Sequence, residues 1–289
     1  VFAGGDQTIC EGDVAVLSGA TQGGSTTSVT WTGGLGSFDN INLLNATYTP
    51  DQSEIGSVVI LTVTSNDPGG PCNPVNDQVR ITVNKAPEVF AGTDITICEG
   101  ESYLIVDATT GGSTTSVTWT GGLGAFSPNA TTLNAIYTPD ASEVVTTVSL
   151  TVTTNDPTGP CGAVSDQIDI TINDAPEVFA GGDQTICEGD VALLSSATLG
   201  GSTSSITWTG GFGSFDDINL LSATYTPDLS EIGSVVILTI TSNDPAGPCD
   251  PVSDQIRITV NKAPEVFAGA DMTICEGERY LIGDATKGG

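Results

Sequence analysis

An all-β chain of tandem sandwich domains is what this sequence predicts, and three observations carry that expectation. A unit of about 88 residues recurs: Val1-Phe2-Ala3-Gly4 returns as Val89-Phe90-Ala91-Gly92, Val178-Phe179-Ala180-Gly181 and Val266-Phe267-Ala268-Gly269, each time leading into Ile-Cys-Glu-Gly. Inside one unit, about seven short apolar runs are separated by Gly, Pro, Asn and Asp turn signals. No window of about 11 residues carries the apolar spacing of an amphipathic helix.

In the first unit, Asp6 to Cys10 reads as an opening strand stopped at Glu11-Gly12, and Val14 to Leu17 as a second, broken at Gly23-Gly24-Ser25. Ser28 to Thr32 alternates into a third, and Phe38 and Ala46 to Thr49 supply short middle strands, the latter ended by Pro50-Asp51. The two clearest strands, Val58 to Thr64 and Gln78 to Val83, flank a long loop from Ser65 to Asp77. That pattern is the one expected of an immunoglobulin-like sandwich. Trp31, repeated as Trp119 and Trp208, falls on the third strand and shares a face with Val29, so these tryptophans are expected in the core. The alternative is an exposed Trp that stacks on sugar.

The expected domains are 1–86, 87–175 and 176–263, with 264–289 the truncated start of a fourth repeat, too short to bury a core of its own. Units one and three share Cys-Glu-Gly-Asp-Val-Ala, while two and four share Cys-Glu-Gly-Glu before Tyr103 and Tyr280, so a two-unit block has been duplicated. The chain starts inside a repeat and stops soon after the fourth begins, and a longer protein is expected. Between repeats the linker is short, and Pro87, Pro176 and Pro264 favour stiffness there. An extended rod follows as the expected architecture.

A formal charge of −29, from 35 acidic and 6 basic residues, argues against nucleic acid and anionic lipid as partners and suits a solvated, self-repelling surface. No apolar run of about 18 residues offers a membrane span. Catalysis finds no histidine, no Gly-x-Ser-x-Gly elbow and no phosphate-cradling glycine loop before a helix, so no enzyme is expected and no catalytic residue is assigned. Asn45-Ala-Thr47 and Asn129-Ala-Thr131 match a glycosylation sequon, but Ser222 interrupts the pattern in the third unit and the matches are read as accidental.

The segment Ala86 to Gly100 (Ala-Pro-Glu-Val-Phe-Ala-Gly-Thr-Asp-Ile-Thr-Ile-Cys-Glu-Gly), with Val117-Thr-Trp119, Tyr137-Thr-Pro139 and the Asn-Asp-Pro and Gly-Pro-Cys signatures, resembles the PKD-like, immunoglobulin-like repeats of giant Bacteroidetes surface proteins. Within that group the chain is similar, along its whole length, to the SprB-type mobile adhesins of gliding flavobacteria. The resemblance implies a very long filament exported by a type IX secretion system and carried along the cell surface by the gliding motor. Its partners would be neighbouring repeats and, through other regions, the outer-membrane gliding and secretion machinery.

Seven cysteines stand at regular places: Cys10, Cys72, Cys98, Cys161, Cys187, Cys249 and Cys275. With no Cys-x-x-Cys pair and no histidine, they point to disulfides and an oxidising, extracytoplasmic setting rather than zinc. Two connectivities are open. Pairing inside each repeat would join Cys10–Cys72, Cys98–Cys161 and Cys187–Cys249. Sandwich topology instead puts the first-strand cysteine and the last-loop cysteine at opposite poles, a strand length of roughly 20 Å apart, whereas bridged Cα atoms lie within about 7 Å. That geometry favours Cys10–Cys161 and Cys98–Cys249 between repeats, with Cys72, Cys187 and Cys275 reserved for units outside this segment.

Aspartates repeat near the expected poles, among them Asp6, Asp67, Asp77, Asp94, Asp156 and Asp166, and oxygen ligands of that kind suit Ca²⁺. No Asp-x-Asp-x-Asp-Gly loop is present, and Asx turns account for most of these residues, so calcium is the weaker expectation and no other cofactor is expected. The function expected is a structural repeat segment of a secreted cell-surface adhesin that transmits force in attachment and gliding. A multivalent polysaccharide-binding array, or a passive stalk of a surface protein without a motility role, is the alternative.

Overall fold

The computed structural model describes residues 1–67, 70–245 and 247–288. Pro68 and Gly69 of the predicted long loop, Ala246 and the last residue, Gly289, lie outside them. The chain is all-β apart from single turns of 3-10 helix at Gln52–Glu54, Ala141–Glu143 and Leu229–Glu231.

In the first repeat the strands are β1 (Gln7–Cys10), β2 (Ala15–Val16), β3 (Val29–Gly33), β4 (Ser37–Phe38), β5 (Thr47–Thr49), β6 (Val58–Ser65) and β7 (Asn76–Asn84). They form a four-stranded sheet in the order β1-β7-β6-β3 and a three-stranded sheet β2-β5-β4. β1 runs parallel to β7, which sets Cys10 opposite Asn84; β6 is antiparallel to both β7 and β3. On β6, Val59, Leu61 and Val63 face inward while Val58, Ile60 and Thr62 face out, the period-2 alternation of a half-buried strand.

Trp31 on β3 and Tyr48 on β5 are fully buried, and Phe38 lies between them, 6.3 Å from the Trp31 ring and 4.9 Å from that of Tyr48. The aromatic stack therefore joins the inner faces of the two sheets, which defines the sandwich. The Trp31 indole N–H donates to the Leu43 carbonyl at 3.1 Å, so the one polar atom of this side chain is satisfied inside the core. Trp119 and Trp208 repeat both the burial and the bond, to Leu133 and Leu220.

The third repeat reproduces this plan, with the four-stranded order Gln184–Cys187, Ser253–Asn261, Val235–Ser242, Ile206–Gly210. In the second, Val117–Thr120, Thr147–Thr154 and Ser165–Asn173 form the antiparallel ladder. By density of internal contacts the chain separates into two units. One holds Val1–Ile95, Glu101–Glu143 and Thr147–Thr171; the other holds Thr96–Gly100, Val144–Thr146 and the chain from Ile172 onward. In the fourth, partial repeat, Glu265–Phe267 pairs with Thr286–Gly288, and Val266, Met272 and Leu281 stand exposed.

Local details go beyond the sequence reading. The linker, expected to be short and stiff, contains a strand, Pro87–Phe90, paired antiparallel with Thr109–Gly112; Pro176–Phe179 pairs likewise with Thr198–Gly201. Proline is tolerated because it occupies the first position of the strand, where its missing N–H costs little. Gly23-Gly24, read as a breaker in the first unit, lies outside any strand, but its counterparts in the second and third units end the partner strands Thr109–Gly112 and Thr198–Gly201, where Gly112 and Gly201 come so close to the Ala86 and Ala175 carbonyls that a Cβ would overlap them. The second strand is also shorter than the Val14 to Leu17 run, only Ala15–Val16.

Candidate functional site at the cystine junctions

β1 ends at Cys10, and the residues after it fix the start of the next repeat. Glu11 N–H donates to the Asn84 carbonyl at 2.8 Å, and the Glu11 carboxylate accepts from the Ala86 N–H at 3.1 Å. The linker backbone is thereby held against the end of β1 by one acidic side chain. Glu99 and Glu188 do the same for Ala175 and Ala263.

Beside this clasp, Cys10 is bonded to Cys161, with Cα atoms 5.0 Å apart. Cys161 lies between the two long strands of the second repeat and is 3% exposed. Its sulfur stands 3.5 Å from the Lys85 carbonyl, so the cystine packs directly on the linker. Gly159, two residues before it, brings its backbone so near the Asn84 amide that a Cβ would lie 2.6 Å from Nδ2.

The second unit contains the same construction. Cys98 is bonded to Cys249, again with Cα atoms 5.0 Å apart, and the Cys249 sulfur lies 3.5 Å from the Asp174 carbonyl. With these pairs formed, Cys10–Cys72, Cys98–Cys161 and Cys187–Cys249 are absent; Cys72, Cys187 and Cys275 are exposed free thiols. Lys85 also borders an open cleft of about 550 Å³ with Thr82, Thr115, Asn155 and Asp156, inside the first unit.

The aspartates considered for calcium are dispersed. Asp6 accepts from the Arg80 N–H and Asp94 from the Asp169 N–H, both at 2.9 Å. Asp77 accepts from the Ala3 N–H at 2.8 Å, and Asp166 from the Ala91 N–H at 2.9 Å. Each carboxylate thus pins the Val-Phe-Ala-Gly segment or the opening strand to the last strand of its repeat. Asp67 and Asp156 sit in the loops between the long strands. Among the described residues, no three His, Cys, Asp or Glu side chains gather to hold a metal.

Sequence reasoning missed Glu54, Glu143 and Glu231, which are buried although charged. Glu54 accepts from the Leu35 N–H at 2.8 Å, the Asp51 N–H at 2.9 Å and the Tyr48 hydroxyl at 2.6 Å. The signal was present: Asp51-Gln-Ser-Glu54 is a capping box, in which the Asp51 side chain caps Ser53 and the Glu reaches back to the cap. Also unforeseen is an exposed aromatic repeated in every unit. Phe2, Phe90, Phe179 and Phe267 are 53%, 44%, 52% and 57% exposed at equivalent positions of the four repeats.

No described helix is long and apolar enough to cross a membrane. No protein-family model matches this chain, and no curated protein does. Solved structures resemble it in fold: mouse protocadherin-24 EC1–3 at 12% identity and a TM-score of 0.38, over 89% of this chain and 96% of that one. Human CDH23 EC21–23 resembles it at 15% identity and a TM-score of 0.42, over 80% and 88%. The immunoglobulin domains 1–5 of Sidekick-1 do so at 13% and 0.33, over 90% and 58%.

Proposed function

We propose that this chain is a structural segment of a secreted cell-surface adhesin, a rod of domains at 1–86, 87–175 and 176–263 that transmits force between a cell and the surface it holds. The observation that carries the reading is the pair of cystines, Cys10–Cys161 and Cys98–Cys249, each joining one repeat to the next. A disulfide within a repeat stabilises that repeat alone, whereas one across a junction resists the separation of two repeats, which is where a load along the chain acts. The acidic clasp of Glu11 on Ala86, and of Glu99 on Ala175, supports the same use. Disulfides imply an extracellular setting. The resemblance to SprB-type repeats extends the proposal to gliding motility and type IX export, with the gliding and secretion machinery engaged through other regions.

The test is to replace Cys10 and Cys161 by Ser in the gene of the organism that makes the protein. Surface display should be retained, while attachment under shear flow and gliding should fall. Undiminished attachment at normal display would remove the force-bearing role.

A second reading has an observation of its own: the exposed Phe2, Phe90, Phe179 and Phe267, one per repeat, are what a multivalent polysaccharide binder would present. Around Phe179, Leu199 and Val252 complete a shallow groove of about 390 Å³. A glycan array probed with the chain as it stands discriminates the two, because a load-bearing spacer gives no signal and a binding array picks out one glycan class.

A further inference from the structure

Each cystine spans 151 residues, and the two closed loops overlap along the stretch from Cys98 to Cys161. Tension applied at Cys10 and Cys249 therefore has a route other than the backbone. It crosses to Cys161 through the first cystine, runs back along the chain to Cys98, and crosses to Cys249 through the second. That route holds about 63 residues, where the backbone between the same two points holds about 239. An extended chain spans roughly 3.5 Å per residue, so the bridged segment can be drawn out to only about 220 Å, against about 840 Å without the bridges.

The same overlap governs cleavage. A single backbone cut anywhere from Cys10 to Cys249 falls inside at least one closed loop, so both halves stay joined. The linkers at Pro87 and Pro176 lie within that range, including the exposed Lys85 beside the clasp. Cystines confined to single repeats would leave each linker as the sole connection and the sole point of failure.

We infer that the interlocked cystines form a second covalent path through the repeats, one that caps extension and preserves continuity when the backbone is cut. The inference rests on the force-bearing reading above for its purpose, but its test does not depend on that reading.

The lysines of the chain are Lys85, Lys262 and Lys287, so a lysine-specific endoproteinase cuts the first linker once and leaves the bridged region otherwise whole. The exposed thiols of Cys72, Cys187 and Cys275 are first alkylated, and the chain is digested in denaturant. Without reductant, residues 1–85 should remain joined to 86–262; with a thiol reductant the two should separate. Release of 1–85 without reductant overturns the inference.

Single-molecule stretching from the two termini supplies the second readout. Under oxidising conditions the full extension should match about 110 residues, rising about 2.6-fold once reductant is added. An extension that reductant does not change also overturns it. If both readouts hold while the Cys10 and Cys161 substitutions leave attachment under flow intact, the covalent path stands and only the force-bearing role falls.

Discussion

The Tyr48 hydroxyl donates a 2.6 Å hydrogen bond to the Glu54 carboxylate inside the first repeat, and the same pair recurs as Tyr137 with Glu143 at 2.8 Å and Tyr225 with Glu231 at 2.7 Å. The Gly36 N–H donates in turn to the Tyr48 hydroxyl at 2.8 Å. One carboxylate thus fastens the Gly33 to Gly36 turn, the end of β5 and the 3-10 turn together. Glu54→Ala would strand the buried Tyr48 hydroxyl and the half-buried Leu35 and Asp51 N–H groups; a buried donor left unpaired costs about 1–3 kcal/mol, and water reaching the two backbone groups recovers part of theirs. The expected cost is about 3 kcal/mol in the stability of the first repeat, seen as an earlier urea transition of the full chain. Tyr48→Phe, which removes one bond and keeps the ring, should cost about half as much. Equal midpoints for Glu54→Ala and the parent would show that the carboxylate does not hold these elements.

The same pair predicts how stability depends on pH. Burial by itself would raise the Glu54 carboxyl, but the hydrogen bonds from Tyr48, Leu35, Asp51 and Gly36 together outweigh it, and the net shift is downward. A carboxyl held lower in the folded chain stabilises it above the unfolded value of about 4.3, and that contribution disappears as pH falls through the folded value. Tyr48 shifts the other way: burial first, then the bond to Glu54, push it up to about 12, and Tyr137 and Tyr225 match it. A phenol whose proton is held more tightly in the folded state contributes fully below about pH 10 and loses that contribution between about 10 and 12. The melting temperature should therefore be level from about pH 6 to 9, fall on the acid side below about pH 4, and fall again above about pH 10. The alkaline limb should coincide with phenolate absorbance from the buried tyrosines; phenolate that develops fully near pH 10 without unfolding would contradict the burial argument.

What the sequence made legible was periodic. The alternation along β6 and β7 and the place of Trp31 on β3 can be read from residue type, because inward and outward positions differ in polarity. The strand at Pro87–Phe90 was not legible, since Pro and Gly-Gly ordinarily stop strands and only a close backbone approach turns them into a pair. Glu54 was hidden for a different reason: a charged residue is assigned to solvent by default, and its capping box was read as a strand terminator. The regular spacing of the cysteines left two connectivities open, and distance distinguishes them. Cys10 stands at the end of β1 beside Asn84, where Cys161 of the following repeat also lies.

Calcium gives a prediction with a definite sign. Asp6, Asp77, Asp94 and Asp166 each accept a backbone N–H, and among the described residues no three candidate ligand side chains gather, so no metal shared between them is expected for a chelator to extract. The melting temperature of the chain should be the same with excess chelator as with millimolar calcium. A rise on adding calcium, reversed by chelator, would mean that the loops carrying Asp67 and Asp156 assemble a site, since a ligand that binds the folded chain stabilises it by mass action.

Val145 is the one non-glycine residue among those described that has positive φ, at 62°. The corresponding places in the first and third repeats are Gly56 and Gly233, at 78° and 76°. All three N–H groups reach the same kind of partner, the carbonyl of Val83, Ile172 or Val260, so the turn is the same and only the residue differs. A β-branched side chain in this region costs about 1–2 kcal/mol, and at 72% exposure Val145 recovers little of that by packing. Glycine would relieve the strain and lose roughly 0.5–1 kcal/mol through the freedom it gives the unfolded chain. Val145→Gly should therefore stabilise the second repeat, by about 0.5–1 kcal/mol, whereas Val145→Ala keeps the Cβ and should gain less. Urea unfolding of the three proteins ranks them; a glycine variant that unfolds before the parent would mean that the valine backbone carries no strain to relieve.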